Sequence, residues 1–222
     1  MTDFLLIPGA GGVAWYWNRV VQDLAARGHM AVAVDLPGDD PESGLPEYAQ
    51  KTVDAGRGLD RPILVAQSMG GFTAPLVWSQ LPVSWVVFLN AMIPKPGERA
   101  GDWWGNVDCV AAQREAALFA GYTPEFDVDV YFLHDVPQEV LADGALERNE
   151  ADRAFSDVCD FTWPDLPIHA VAGEDDRFFP LALQRRVARK RLDVEVDTVP
   201  GGHLAALSQP GPLADYLLSL GG

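Results

Sequence analysis

The stretch AQSMG, residues 66–70, places a serine among small residues at the end of an apolar run. Residues 63–66 are typical of a buried strand, and a helix is expected directly after the serine. A strand that turns into a helix this sharply needs small neighbours and pushes the serine hydroxyl outward, as in the Gly-x-Ser-x-Gly motif. Ala66 replaces the first glycine of that motif. The stretch predicts a nucleophilic Ser68, with a serine that caps the helix as the alternative.

A serine hydroxyl attacks a carbonyl carbon efficiently only when a base removes its proton. His203 follows a Pro-Gly-Gly turn, residues 200–202, after the last predicted strand. It is therefore expected at the same sheet edge as Ser68, and we predict that it is the base. The other three histidines are expected to have structural, packing or surface roles: His29, His134 and His169.

A carboxylate must hold the imidazole tautomer and stabilise its positive charge. The stretch AGEDDRFFP, residues 172–180, offers Glu174, Asp175 and Asp176 just after a predicted strand. Their positions alone do not separate the three. Asp176 lies deepest in the loop, shortly before the next helix, so we predict that it is the acid, with Asp175 as the next choice.

The tetrahedral intermediate of acyl transfer needs N–H donors for its oxyanion. One is expected to be the amide of Met69, directly after the nucleophile. The other is expected from the loop PGAGG, residues 8–12, with Ala10 as the donor. A dinucleotide phosphate is the alternative ligand of such a loop, with Asp35 near its ribose. The glycine spacing argues against it, because the third glycine of that motif falls on Ala14.

All these side chains follow predicted strands, which alternate with helices along the chain. The strands are expected at residues 4–7, 30–34, 63–66, 85–89, 168–172 and 194–199. Apolar strands between helices indicate an α/β fold with a doubly wound, mainly parallel six-stranded sheet, whose ligands bind beyond the carboxyl ends of the strands. Asn90 also stands at such a strand end.

One domain, residues 1–222, is expected, with a core of residues 1–91 and 163–222. Residues 92–162 interrupt the alternation with amphipathic stretches and no convincing buried strand, which predicts a helical cap. Its aromatic side chains could wall an apolar substrate pocket, and the alternative is that they pack the cap onto the core. The aromatic residues considered for this role are Trp103, Trp104, Phe119, Tyr122, Tyr131 and Phe132, of which Trp103, Trp104, Tyr122 and Tyr131 are the preferred pocket candidates.

The composition excludes several classes of partner. A net charge of -16, from 32 acidic and 16 basic residues, argues against binding to nucleic acid or an anionic membrane. Two cysteines without metal-ligand spacing argue against zinc and fit a reducing compartment. The N-terminal stretch has no basic region and no long apolar run, which predicts a cytoplasmic protein. No metal or organic cofactor is expected, and a homodimer is left open.

Taken together, the motifs resemble those of the α/β-hydrolase superfamily over essentially the whole chain. The resembling stretches are LLIPGAGGVAWYW, VAQSMGG, AGEDDRFFP and PGGHLAALSQP, in the superfamily order Ser, Asp, His. Within the superfamily the chain resembles the compact branch of plant methyl esterases and hydroxynitrile lyases, which carry a small helical cap. The resemblance implies a Ser68, Asp176 and His203 triad and an oxyanion hole made by the amides of Ala10 and Met69.

Some positions depart from the pattern of that branch. Pro8 stands where histidine is usual, and Ala66 and Gln67 replace the common Gly-His. Leu204 stands where the lyases resemble one another in carrying lysine, so cyanohydrin cleavage by that route is not expected. We predict a serine hydrolase that cleaves a small, apolar ester, thioester or lactone through an acyl-enzyme. The alternatives are a C–C bond hydrolase or lyase with the same triad, and a weakly catalytic ligand-binding protein.

Overall fold

A six-stranded parallel sheet organises the chain in the computed structural model, which describes residues 1–142 and 148–220. The strands, in chain order, are β1 (Asp3–Ile7), β2 (Met30–Ala33), β3 (Ile63–Gln67), β4 (Trp85–Leu89), β5 (Glu98–Arg99), β6 (Val158–Cys159), β7 (Ile168–Gly173) and β8 (Val196–Val199). The sheet has the order β2-β1-β3-β4-β7-β8, and every neighbouring pair is parallel. The predicted fold class is confirmed.

Helices cover both faces of this sheet. They are α1 (Asn18–Ala26), α2 (Leu45–Gly56), α3 (Gly70–Trp78), α4 (Ala100–Asn106), α5 (Cys109–Ala120), α6 (Gln138–Ala142), α7 (Asp152–Ser156), α8 (Leu181–Leu192), α9 (Ala205–Ser208) and α10 (Pro210–Leu220). Alternate strand residues point to opposite faces. In β1, Leu5 and Ile7 therefore pack with side chains of α2, α3 and α8, whereas Phe4 and Leu6 pack with those of α1 and α10. This is why the strands are apolar on both faces.

The segment of residues 92–162 leaves the sheet after β4. In its described part it contains α4 to α7 and a π-helical turn, Asp129–Leu133. The short strands β5 and β6 pair in antiparallel fashion. The sequence did not predict this pair, because two residues per strand are too few to produce an apolar alternation. In the described ranges, none of the helices combines the length and apolarity that a membrane crossing needs.

Candidate active site

Ser68 occupies a strained turn between β3 and α3. Its φ angle is +51°, in the left-handed region that non-glycine residues rarely adopt. The turn is crowded, since a Cβ added to Gly70 would lie 2.6 Å from the carbonyl oxygen of Pro8. The N-cap position of α3 belongs to Met69. Ser68 is therefore not the N-cap residue, and its hydroxyl does not cap the helix.

The hydroxyl of Ser68 meets the side chain of His203. Ser68 Oγ lies 3.1 Å from His203 Nε2, and His203 Nδ1 lies 2.9 Å from Asp176 Oδ2. All three side chains are buried. Since the carboxylate can only accept, His203 donates from Nδ1, and its Nε2 is left to accept the proton of Ser68. The structure brings the three predicted residues together in the arrangement that activates a serine.

Backbone hydrogen bonds select Asp176 among the three acidic residues of its loop. Its Oδ1 accepts from the amides of Phe178 and Phe179, at 2.8 Å each. Glu174 and Asp175 are exposed, and Glu174 accepts instead from the hydroxyl of Thr198. The first turn before α8 therefore aims Asp176 inward and its neighbours outward.

Three phenylalanine rings surround the imidazole of His203. The ring centroids of Phe132, Phe178 and Phe179 lie 5.1, 4.9 and 5.0 Å from that of His203, each at a steep interplanar angle. Edge-to-face contacts of this kind hold an imidazole in one orientation. The rings also shield the bond between His203 and Asp176 from water, which strengthens it.

The glycine-rich loop after β1 lies against Ser68. Ala10 and Met69 line the same cavity as the hydroxyl, and no hydrogen bond among the described residues uses either of their amides. The next amide, of Gly11, donates to Glu150 Oε2 at 2.6 Å. The amides of the two predicted oxyanion donors therefore have no partner among the described residues, whereas the Gly11 amide is occupied. Asp35 accepts from the amide of Ala14 and pairs with Arg148 instead of facing this cavity.

The absence of a side chain at Gly9 sets the position of this loop. A Cβ there would lie 2.5 Å from Gln67 Oε1 and 2.8 Å from Ser68 Cβ. We expect Gly9→Ala to lower kcat about 100-fold, because a displacement of about 1 Å moves the Ala10 amide out of reach of the oxyanion. The matched control is Gly58→Ala, since a Cβ at Gly58 meets no atom within 4 Å. Steady-state ester hydrolysis checks this, and equal kcat values for the two variants would contradict it.

A cavity of about 330 Å³ opens beside Ser68. Its walls are mainly apolar, and no Asp, Glu, Lys or Arg of the described residues lines it. The lining side chains beyond the triad and the oxyanion loop are Val13, Tyr16, Gln67, Met92, Trp104, Phe132, Phe155, Phe178 and Leu204. The volume suits a small organic molecule.

Of the four predicted pocket residues, only Trp104 lines this cavity. Trp103 is buried in the core, where its Nε1 donates to the carbonyl oxygen of Ile93. Successive helical residues point about 100° apart, so Trp103 and Trp104 on α4 cannot face the same way. Tyr131 is buried and donates to a backbone carbonyl, and Tyr122 lines a separate groove. For these three the alternative, packing of the segment, describes their positions better.

Several aromatic lining residues were not predicted. Phe178 lies two residues after Asp176, within a stretch that the analysis quoted only for its acids. Phe155 comes from a distant part of residues 92–162, whereas Phe132 was among the segment's aromatic candidates and does line the cavity. Nothing in the spacing of these residues indicates which of them face inward. His134, predicted to pack or to lie at the surface, is mostly buried beside Asp135. Cys109 and Cys159 are both buried free thiols.

Comparisons with known proteins identify the family of the chain. A family model described as "Alpha/beta hydrolase family" matches residues 4–216. A candidate methylesterase of Arabidopsis thaliana (methylesterase 19) is 35% identical, and the match covers 98% of this chain and 96% of that protein. A probable esterase of Oryza sativa subsp. indica is 36% identical over 110 residues, 44% of this chain and 42% of the relative's own length.

Solved structures share the fold at lower sequence identity. A pyrethroid hydrolase from Sphingobium faniae has a TM-score of 0.77 at 21% identity, covering 99% of this chain and 96% of that chain. A methylesterase from Arabidopsis has a TM-score of 0.75 at 21% identity, covering 99% and 98%. The chain therefore belongs to the alpha/beta hydrolase family, in the branch that contains the plant methylesterases.

Proposed function

We propose that this protein is a serine hydrolase that cleaves small, uncharged carboxylic esters, and by the same chemistry thioesters or lactones, through an acyl-enzyme. The observation that carries the proposal is the continuous hydrogen-bonded chain from Ser68 through His203 to Asp176 at the wall of an apolar cavity. The names of the two relatives, an esterase and a methylesterase, support ester chemistry.

The geometry supports a two-step reaction. His203 Nε2 takes the proton of Ser68 while Oγ forms a bond to the carbonyl carbon, and the amides of Ala10 and Met69 donate to the oxyanion. Collapse of this intermediate breaks the bond to the alcohol oxygen, which receives the proton from His203. Water then attacks the acyl carbon, His203 takes its proton, and Ser68 leaves with that proton restored. The carboxylate of Asp176 stabilises the imidazolium in both steps.

The cavity walls support a preference for uncharged acyl groups. An ionised acyl group would lose its hydration among aromatic and aliphatic walls without gaining a partner, since no Lys or Arg among the described residues lines the cavity. Trp104, Phe132 and Phe155 come from the predicted cap, which supports the division into a core and a cap of residues 92–162. The cytoplasmic location stays a prediction, and the possibility of a homodimer stays open.

The first test uses a fluorophosphonate, which reacts only with an activated serine. We expect one adduct per chain, mapped to Ser68 by mass spectrometry, and hydrolysis of neutral p-nitrophenyl esters. An unreactive, folded protein would refute the proposal and favour the ligand-binding alternative. A labelled protein that releases no acid from any ester in an acyl-length series would favour the C–C hydrolase or lyase, because those reactions use the same triad.

A second prediction concerns the charge of the acyl group. We expect kcat/KM for a hemisuccinate ester, which carries a carboxylate, to be at least about 100-fold below that for the butyrate ester of the same alcohol. The paired esters share the leaving group, so the ratio measures acyl recognition alone. Similar values for the two substrates would contradict an apolar acyl site.

A further inference from the structure

Two buried amide side chains bind the loops that carry the triad, and neither belongs to the triad itself. We infer that Asn90 and Gln184 are positioning residues: Asn90 holds the loop of His203, and Gln184 holds the Asp176 carboxylate and tempers its charge. The inference rests on the proposed hydrolase function, since it concerns residues that act through the triad.

Asn90 uses its whole hydrogen-bonding capacity at the end of β4. Its Nδ2 donates to the carbonyl oxygens of Gly202 and His203, at 3.0 and 3.2 Å. Its Oδ1 accepts from the amide of Gly173 at 2.8 Å and from Gln184 at 3.2 Å. The residue is fully buried and has a φ angle of +44°. The strained backbone of a buried residue costs stability, which its hydrogen bonds must offset. The hydrogen bonds of Asn90 join the ends of two strands to the turn before His203.

Gln184 reaches the acid from the first turns of α8. Its Nε2 lies 3.1 Å from Asp176 Oδ2, the oxygen that accepts from His203, and 2.7 Å from the carbonyl oxygen of Phe179. The side chain is nine-tenths buried. All neighbours of this nitrogen are acceptors, which excludes the flipped amide. The NH2 group has two protons for three acceptors, including Asn90 Oδ1, so its donation to Asp176 Oδ2 is partly shared, and that oxygen is the one that faces the imidazole.

This shared oxygen gives Gln184 an influence on the base. A donor on Asp176 Oδ2 withdraws part of the negative charge that would otherwise stabilise protonated His203. Without the donor, protonated His203 becomes more stable, and a protonated imidazole cannot accept the proton of Ser68. Gln184 thus favours the neutral, reactive imidazole over the protonated one while it holds the carboxylate in place.

Other titratable groups near the pair do not account for this effect. Burial raises the pKa of Tyr16 and of Tyr122, and it raises the pKa of Cys109 to about 12, so all three stay neutral near pH 7. The carboxylate of Asp135 accepts from the amide of Gly202, next to His203, and stays in place in the variants below. His134 lies beside Asp135 and outside the bonds made by Gln184.

The test is the pH profile of Gln184→Met, which keeps the length of the side chain and removes the donor. We expect the acid limb of kcat/KM to move up by about one pH unit, as loss of one hydrogen bond to a charged group implies. Where the pH lies below both midpoints this lowers kcat/KM about 10-fold, with less loss on the plateau above them. The rate of fluorophosphonate labelling of Ser68 against pH measures the same limb without an ester substrate. Leu183→Met, at a buried neighbouring site on α8, controls for packing.

Asn90→Gly provides a second variant, because glycine adopts a positive φ angle without strain. We expect it to lower kcat at every pH, because the loop that carries His203 loses both donors of the Asn90 side chain. A purely structural role of Gln184 would lower the rate without moving the acid limb. The inference is therefore overturned if the acid limb of Gln184→Met coincides with the limbs of the wild type and of Leu183→Met, even if the rate falls. A wild-type protein that neither labels nor hydrolyses esters would instead refute the proposed function, and the positioning role would fall with it.

Discussion

Asp176→Asn is expected to lower kcat for ester hydrolysis about 10⁴-fold while the protein stays folded. Asp176 Oδ1 accepts two backbone amides, so the asparagine must keep its oxygen there and turn its NH2 toward His203 Nδ1. The imidazole then carries its proton on Nε2, where it cannot accept the proton of Ser68. The nucleophile loses its base, although the amides of Phe178 and Phe179 keep their acceptor and the loop keeps its shape.

The matched control for this substitution is Asp175→Asn, one residue away in the same loop. Asp175 is exposed, so its change is expected to leave kcat within about a factor of two, as for other surface positions. Circular dichroism and thermal unfolding establish that both variants fold. The assignment fails if Asp175→Asn is the slow enzyme, or if both variants match the wild type.

Arg191→Met is expected to lower the free energy of unfolding by about 3–5 kcal/mol, because it leaves the Glu98 carboxylate buried and unpaired. The two side chains form a bidentate pair at 2.6 and 2.9 Å with exposed fractions of only 2% and 5%. Glu98 also accepts from Asn106 and from the amide of Lys95. The pair joins β5 to α8, the helix that follows Asp176. Urea unfolding monitored by tryptophan fluorescence measures the loss.

Acidification should report on the same pair. Burial alone would raise the pKa of Glu98, but the hydrogen bonds from Arg191 and Asn106 outweigh it, so the pKa is lowered overall. A carboxyl group with a lowered folded-state pKa contributes stability above its unfolded pKa of about 4.3 and loses it as the pH falls through the folded value. We expect the wild type to lose stability below about pH 4.3. Arg191→Met is expected to lose less over the same pH range, because Glu98 no longer contributes to the loss.

An exposed ion pair serves as the control for both measurements. Arg57 and Asp54 lie 2.9 Å apart on the surface, so Arg57→Met is expected to leave the unfolding midpoint nearly unchanged. If Arg57→Met and Arg191→Met lose the same free energy of unfolding, burial is not the reason that the pair of Arg191 and Glu98 stabilises the protein. A double variant, Glu98→Gln with Arg191→Met, should recover part of the loss, because the buried charge is gone.

Local sequence patterns were enough to predict the sheet and the triad candidates. Apolar runs ended by glycine, proline or acidic residues are strong signals, and five of the six sheet strands begin within one residue of the predicted position. The chemistry of Ser68 and His203 could also be predicted, because parallel strands bring their carboxyl ends to one edge wherever the chain supplies them. These features depend on a few neighbouring residues each.

The choice of Asp176 over Asp175 required a geometric fact. Position along the chain gave only a preference, and the two amides that donate to Asp176 Oδ1 could be identified only once the turn before α8 was formed. The same holds for Gln184, whose one signal is a polar residue on the buried side of α8, next to Leu183 and Val187.

The sequence by itself determined the fold class and the candidates for the nucleophile and the base, because each is encoded by a short-range pattern and by the common edge of a parallel sheet. Only the tertiary structure decided which aromatic residues line the cavity beside Ser68. Trp104 lines the cavity and Trp103 does not, although they are adjacent and chemically identical. The two side chains point in different directions from α4, so only one of them can face the cavity. Which one does so depends on how α4 packs against residues that are distant in the chain.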